Sequence, residues 1–149
     1  MSKNPLVRFT KLLLDFMFYT GVIICITVPV IFKQAGKYYS VFDNYYLPFC
    51  VIFMISGFFA LIILWELRNM FKTIISENPF VKENVTSLKK MGLCAFIITI
   101  MMAVRLFIAV TPAAMVLVAV FLVAGLFSLV LSLVFDQAVT FKQENDLTI

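Results

Sequence analysis

Charged residues inside or beside long apolar segments are the ones in this sequence whose chemistry needs an explanation. Arg105 has apolar residues on both sides, from Met101 to Val104 and from Leu106 to Val110. An arginine at the centre of a membrane span costs roughly 2.5 to 3.5 kcal/mol on insertion scales, so Arg105 is a candidate for ligand binding or for a role inside a helix bundle. Because it lies near the predicted end of its span, its side chain can alternatively snorkel to the lipid headgroups.

Three carboxylates, Asp15, Glu66 and Asp136, each lie near one end of an apolar segment. Such carboxylates can bind a cation or a proton. Lys11 precedes Asp15 by one helical turn, however, and Arg68 follows Glu66 closely, so the sequence favours solvated ion pairs. No carboxylate falls in the middle of an apolar segment, which argues against a proton-coupled transporter.

Catalytic chemistry has few candidate residues in this chain. Histidine is absent, and the three cysteines, Cys25, Cys50 and Cys94, lie in apolar segments without forming a CxxC pair. We therefore expect no catalytic residue, no metal site and no cofactor, and we do not expect an enzyme. The net charge of +4 is more typical of a membrane topology or lipid-surface signal than of direct contact with nucleic acid.

Four long apolar segments position these residues. At 63% hydrophobic residues and a mean hydropathy of +1.06, the 149-residue chain is too apolar for a soluble domain. A bilayer core about 30 Å thick needs roughly 20 apolar residues of helix, and the predicted spans are residues 12–32, 45–65, 91–108 and 113–135. The predicted fold is a single all-α membrane domain with four transmembrane helices in an antiparallel bundle.

The polar sequence is confined to short connections, a loop over 66–90 and a tail over 136–149. The helix of the second span should continue to about Ile75 and stop at residues 76–79. Asn78 is predicted to cap the next helix, with Pro79 at its first position. Val110-Thr111-Pro112 predicts a tight reversal between the last two spans.

The distribution of basic residues predicts the orientation. Nine Lys and Arg residues fall in the termini and the 66–90 loop, against three on the other side, so both termini are expected in the cytoplasm. Small residues four positions apart, such as Ser128 and Ser132, favour close helix packing in the bilayer, and the same pattern leaves a homo-oligomer interface open.

The end of the tail is a candidate for partner binding. Asp146 belongs to an acidic stem, and Leu147 and Ile149 are aliphatic residues that serve no evident purpose in the membrane. An apolar pair of this kind can dock into a groove on another protein. It can equally fold back on the 66–90 loop, and the sequence does not separate the two.

Two short motifs carry a family resemblance. Asn78-Pro79-Phe80-Val81, followed by Asn84, Leu88, Lys89 and Gly92, occurs together with four spans and the terminal Glu144-Asn145-Asp146-Leu147-Thr148-Ile149. Over essentially the whole chain, this combination resembles a bacterial membrane family of unknown function, DUF2975. The resemblance implies a bacterial inner-membrane location. Genes of that family often stand beside one for a small helix-turn-helix regulator of the Cro/CI type, which implies a membrane partner for a transcription regulator.

In that hypothesis, Pro79, Phe80 and Asn84 shape a cytoplasmic docking surface together with the tail. Helix capping, headgroup anchoring and packing are equally good explanations of the same residues. The alternative function is a small transporter, or an immunity or resistance-type membrane protein, that uses Arg105 and the interfaces between spans.

Overall fold

The computed structural model describes residues 4–148, which form five helices and no strand. The helices are α1 (Pro5–Ala35), α2 (Ser40–Asn44), α3 (Tyr46–Ile75), α4 (Lys82–Ile108) and α5 (Pro112–Thr148). All but α2 are long and apolar enough to cross a membrane, which confirms the prediction of an all-helical chain with four apolar helices. Large aliphatic and aromatic side chains are exposed along all four, as expected for helices that face lipid.

The four long helices pack in chain order. α1 packs on α3, α3 on α4 and α4 on α5, while α2 contacts α1 and α3. Among the described residues, α1 and α5 are not neighbours. The close approach of α4 to α5 depends on two glycines, because a Cβ atom on Gly92 would lie 3.2 Å from the carbonyl oxygen of Gly125. This contact agrees with the expectation that small residues mediate packing.

Contacts between the helices define two ends of the molecule. The Arg68 end is where Asp15 of α1 meets Arg68 of α3 and where Asn84 of α4 meets Thr73 of α3. At the Arg105 end, Phe32 of α1 packs on Phe49 of α3, and the Arg105 guanidinium of α4 lies over the Phe49 ring.

The first connection contains a short helix that the sequence analysis treated as loop. In α2, the ring of Phe42 lies 5.2 Å from that of Phe32 and 5.5 Å from that of Phe49. Aromatic contacts of this kind contribute about 0.5 to 1.5 kcal/mol beyond simple burial. Tertiary packing of Phe42, and not local propensity, therefore explains why five residues form a helical turn here.

The predicted end of α3 at Ile75 is confirmed. The backbone N–H of Glu77 donates to the carbonyl oxygen of Ile74 at 3.1 Å, and that of Asn78 donates to the carbonyl oxygen of Thr73 at 3.0 Å. Glu77 has a φ of 61°. This pair of bonds around a left-handed residue is a Schellman motif, which satisfies carbonyl groups at a helix end.

The predicted cap at the start of α4 is wrong. Asn78 does not cap this helix, and Pro79 is not its first residue, because α4 begins at Lys82 with Val81 at the N-cap position. The Schellman motif already uses the backbone of Asn78 to end α3, so the chain needs three more residues before a new helix begins.

The predicted reversal between the last two spans is confirmed at residues 109–111. The Thr111 hydroxyl oxygen accepts a hydrogen bond from the backbone N–H of Ala114 at 3.3 Å, and the Thr111 carbonyl oxygen accepts from the N–H of Met115 at 3.2 Å. Thr111 therefore caps α5, and Pro112 occupies the first helical position, where its missing N–H costs nothing.

Replacement of Glu77 by glycine should stabilise the protein, because a side chain in the left-handed conformation costs about 1 kcal/mol that glycine avoids. We expect Glu77→Gly to raise the free energy of unfolding by about 0.5 to 1 kcal/mol, measured by denaturant titration in detergent micelles. The exposed neighbour Ser76, whose φ is −78°, supplies the control, since Ser76→Gly should be neutral or destabilising. Destabilisation by Glu77→Gly would contradict the assigned backbone strain.

Candidate functional site

Asp15 and Arg68 form the ion pair that joins α1 to α3. The Arg68 Nε donates to an Asp15 carboxylate oxygen at 2.7 Å, and Lys11 Nζ lies 3.4 Å from the other oxygen. The Arg68 guanidinium also lies over the ring of Phe18, at 4.8 Å, and over that of Trp65, at 5.5 Å. The predicted pairing of Lys11 with Asp15 is confirmed, but Arg68 pairs with Asp15 and not with Glu66.

Glu66 has different partners, which lie on α4. Its carboxylate accepts a hydrogen bond from the Ser87 hydroxyl at 2.7 Å, and Lys90 Nζ lies 3.8 Å away. The Glu66 side chain is only 12% exposed, so these contacts are better shielded from water than a surface ion pair. Together with the Asp15–Arg68 pair, they give both carboxylates at the Arg68 end a basic partner.

Asn84 fixes the loop between α3 and α4. Its side-chain Nδ2 donates to the Thr73 hydroxyl at 2.7 Å and to the Pro79 carbonyl oxygen at 2.6 Å. The residue is 2% exposed, so it is not available to a partner protein. Asn84 was predicted as part of a docking surface, and the structure instead places it beneath that surface, where it holds Pro79 in position.

The tail over 136–149 is helical as far as it is described, and it packs against the same loop. The rings of Phe80 and Phe135 lie 5.3 Å apart, Lys142 Nζ donates to the Asn78 side-chain oxygen, and Val139 is 4% exposed. The tail continues α5 without folding back, and it contacts the loop from the side. Leu147 is 86% exposed, and Ile149 lies outside the described residues.

A groove of about 330 Å³ runs between the loop and the tail. We call it the loop–tail surface, and its lining residues are Phe80, Val81, Lys82, Glu83, Val139, Lys142, Gln143 and Asp146. Of the predicted partner-binding residues, Phe80 and Asp146 meet here, and Pro79 supports the groove through its bond to Asn84. The sequence analysis missed Lys82 and Lys142, although both occur in the polar segments that it singled out.

Arg105 lies far from this groove, at the Arg105 end of α4. The residue is 8% exposed, so snorkelling into the headgroups does not describe its position. Its Nη1 donates to the Thr111 hydroxyl at 2.8 Å, and its guanidinium carbon lies 5.1 Å from the ring centre of Phe49 and 5.7 Å from that of Phe53. Within residues 4–148, the buried Nε has no hydrogen-bond partner.

The environment of Arg105 compensates its charge only in part. Cation–π contacts contribute about 2 kcal/mol when they are desolvated, whereas burial of an ion costs several kcal/mol. Within residues 4–148, no carboxylate forms an ion pair with Arg105. In the same part of the chain, no group of three or more His, Cys, Asp or Glu side chains is placed to hold a metal ion.

Loss of the donors of Asn84 should release the loop. We expect Asn84→Asp, whose carboxylate can only accept, to lower the free energy of unfolding by about 1 to 3 kcal/mol. Amide hydrogen exchange followed by mass spectrometry should show faster exchange at residues 76–82. Thr86→Ala is the control, because the exposed Thr86 hydroxyl donates to the Lys82 carbonyl oxygen of its own helix. Equal exchange in both variants would rule out this role for Asn84.

A sequence profile of the family described as "Protein of unknown function (DUF2975)" matches residues 30–149 of this chain. The match covers the last six residues of α1 and all the elements that follow, including both the loop–tail surface and Arg105. No curated protein and no solved structure matches the chain.

Proposed function

This chain belongs to the DUF2975 family, whose function is unknown, and we propose that it is a membrane-bound interaction partner of a cytoplasmic regulatory protein. The proposed contact is the loop–tail surface. In this proposal the four long helices form an antiparallel bundle in a bacterial inner membrane, with both termini in the cytoplasm. The partner we propose is a small helix-turn-helix regulator, in line with the gene neighbourhood that the family resemblance implies.

The observation that best supports the proposal is that α5 is longer than a membrane span and that its last turns lie against the loop between α3 and α4. A helix of 37 residues spans about 55 Å, while a bilayer core is about 30 Å thick. The apolar part of α5 ends at Phe135, so three further turns extend into water. A membrane span does not require this extension, and its packing on the loop at Val139 presents a preformed surface to a partner.

The chemistry of the loop–tail surface suits a protein partner. Lys82 and Lys142 carry positive charge, Glu83 and Asp146 carry negative charge, and Phe80 is 44% exposed. An aromatic residue surrounded by charged groups is typical of protein interfaces, where the aromatic residue supplies affinity and the charges set specificity. Because Asn84 and the Schellman motif hold the loop, little conformational entropy would be lost on binding.

The geometry of the membrane-spanning region supports transport less well. A cavity of about 270 Å³ lies among the four long helices, and Ser56 supplies the one hydroxyl in its lining. A polar solute in this cavity would lose its hydration without sufficient replacement hydrogen bonds. We therefore prefer the interaction hypothesis to a small transporter.

The proposed orientation can be tested by cysteine labelling. Single variants Lys37→Cys and Gln143→Cys introduce a thiol into two exposed positions, while the native Cys50 and Cys94 are buried. We expect a membrane-impermeant maleimide to label Lys37→Cys in intact cells and Gln143→Cys only after permeabilisation. The unsubstituted chain measures background labelling through Cys25. The reverse pattern would place the loop–tail surface outside the cell and would exclude a cytoplasmic partner.

Partner binding can be tested by two charge reversals on the last turns of α5. Asp146 lines the groove, whereas Glu144 does not and lies about 200° away around the helix. We expect Asp146→Lys to reduce the amount of helix-turn-helix regulator crosslinked to the protein in native membranes about tenfold, which corresponds to ~1.4 kcal/mol. Glu144→Lys should leave it unchanged.

Recovery is measured by quantitative mass spectrometry of the crosslinked, affinity-purified protein. A regulator that is recovered equally with both variants would show that the groove is not the contact. If no helix-turn-helix protein is enriched over a control membrane protein with the intact chain, the proposed function is wrong.

A further inference from the structure

We infer that Arg105 and Thr111 form a binding site for a phosphate oxyanion at the Arg105 end of the molecule. The site is at the opposite end of α4 from the loop–tail surface, and it does not depend on a cytoplasmic partner. The ligand chemistry is an anionic phosphate group, supplied either by the headgroup of a phospholipid or by a free phosphate in the adjoining water.

The first argument is the unsatisfied donor of a buried side chain. Arg105 is more than nine-tenths buried, and its Nε has no hydrogen-bond partner in the part of the chain that the structure describes. A guanidinium carries five N–H donors in a planar fork that matches phosphate geometry. Its Nη1 is directed to the Thr111 hydroxyl at 2.8 Å, so the side chain is held in one orientation, and not all of its donors are paired within residues 4–148.

The second argument is the local charge. Arg105 lies in the last turn of α4, and Thr111 caps the first turn of α5. The end of one helix and the start of the next carry opposite partial charges of about half an elementary charge each, so they roughly cancel. The full positive charge of the guanidinium therefore remains, and the rings of Phe49 and Phe53 recover less than desolvation of that charge costs.

The third argument is the contrast between the two ends. At the Arg68 end, the carboxylates of Asp15 and Glu66 lie against basic side chains. At the Arg105 end, the connection between α1 and α3 contains one acid, Asp43, which lines a cavity beside Lys33. Asp43 does not pair with Arg105. An anion from outside the chain would supply the missing countercharge.

The position of Arg105 along its helix agrees with a phosphate ligand. It lies one turn before Ile108, where α4 ends, and therefore near the depth at which headgroup phosphates meet the hydrocarbon. Lipid phosphates are recognised by basic residues between transmembrane helices in this way. A free phosphate in the water layer could reach the same depth, and only a binding measurement separates the two sources.

The test measures lipid and phosphate binding to the full chain purified in a neutral detergent. Native mass spectrometry with dioleoyl phosphatidylglycerol, with dioleoyl phosphatidylcholine and with inorganic phosphate gives an affinity for each probe. We expect Arg105→Met to weaken binding of the preferred phosphate probe about tenfold or more, because a charge-assisted hydrogen bond and its countercharge are lost. Lys33→Met removes an exposed charge from the same end and should change the affinity less than twofold.

The probes separate the two sources of phosphate. Arg105-dependent binding of phosphatidylglycerol that inorganic phosphate does not displace assigns the site to a lipid headgroup, and displacement by inorganic phosphate assigns it to the free anion. Equal affinities of wild type and Arg105→Met for both anionic probes would overturn the inference, as would equal losses in Arg105→Met and Lys33→Met.

A second variant keeps the inference testable if Arg105→Met does not fold. Thr111→Val retains the guanidinium and removes the hydroxyl that orients it, so phosphate binding should weaken severalfold. Unchanged binding of both anionic probes by folded Thr111→Val would overturn the proposed site. Failure here would leave the loop–tail proposal intact, because its own test measures a different surface.

Discussion

Hydrogen bonding of the backbone in an apolar environment is the constraint on which the rest of this structure depends. Each N–H and C=O group left unpaired in hydrocarbon costs several kcal/mol, so the apolar segments form helices that satisfy these groups internally. Only helix ends have unpaired backbone groups. The ends are accordingly where the specialised residues occur. The Asn4 side-chain oxygen caps α1 by accepting from the backbone N–H of Leu6, the Schellman motif at Glu77 ends α3, and Thr111 caps α5.

Charged side chains near the apolar segments are compensated differently at the two ends of the molecule. At the Arg68 end, ion pairs and hydrogen bonds connect α1 to α3 and α3 to α4, so charges near the hydrocarbon are matched within the chain. At the Arg105 end, one buried cation is matched by aromatic rings and a hydroxyl. This asymmetry motivates two separate functional proposals, a protein contact at one end and an anion site at the other.

The candidate surface shows that neighbouring residues of one motif can have different structural roles. Pro79, Phe80 and Asn84 were predicted to shape a docking surface, and the structure brings them close together beside the tail. Asn84 nevertheless lies beneath the surface as the donor that fixes the loop, while Asn78 accepts a bond from Lys142 of the tail. Asn78 and Lys142 are 64 residues apart in the sequence. A local sequence pattern cannot predict a contact over that separation.

Hydropathy and local stereochemistry were sufficient to predict four apolar helices, the end of α3 at Ile75 and the break before Pro112, because these depend on neighbouring residues and on the thickness of a bilayer. They did not reveal α2, the choice of Asp15 over Glu66 as the partner of Arg68, or the burial of Arg105. Each of these is decided by which helix faces are in contact, and in lipid that choice depends on shape and hydrogen bonding between helices rather than on hydrophobicity. The apolar composition therefore determined that the chain crosses a membrane, whereas the tertiary structure decided which of its few polar groups are paired and which remain free to bind.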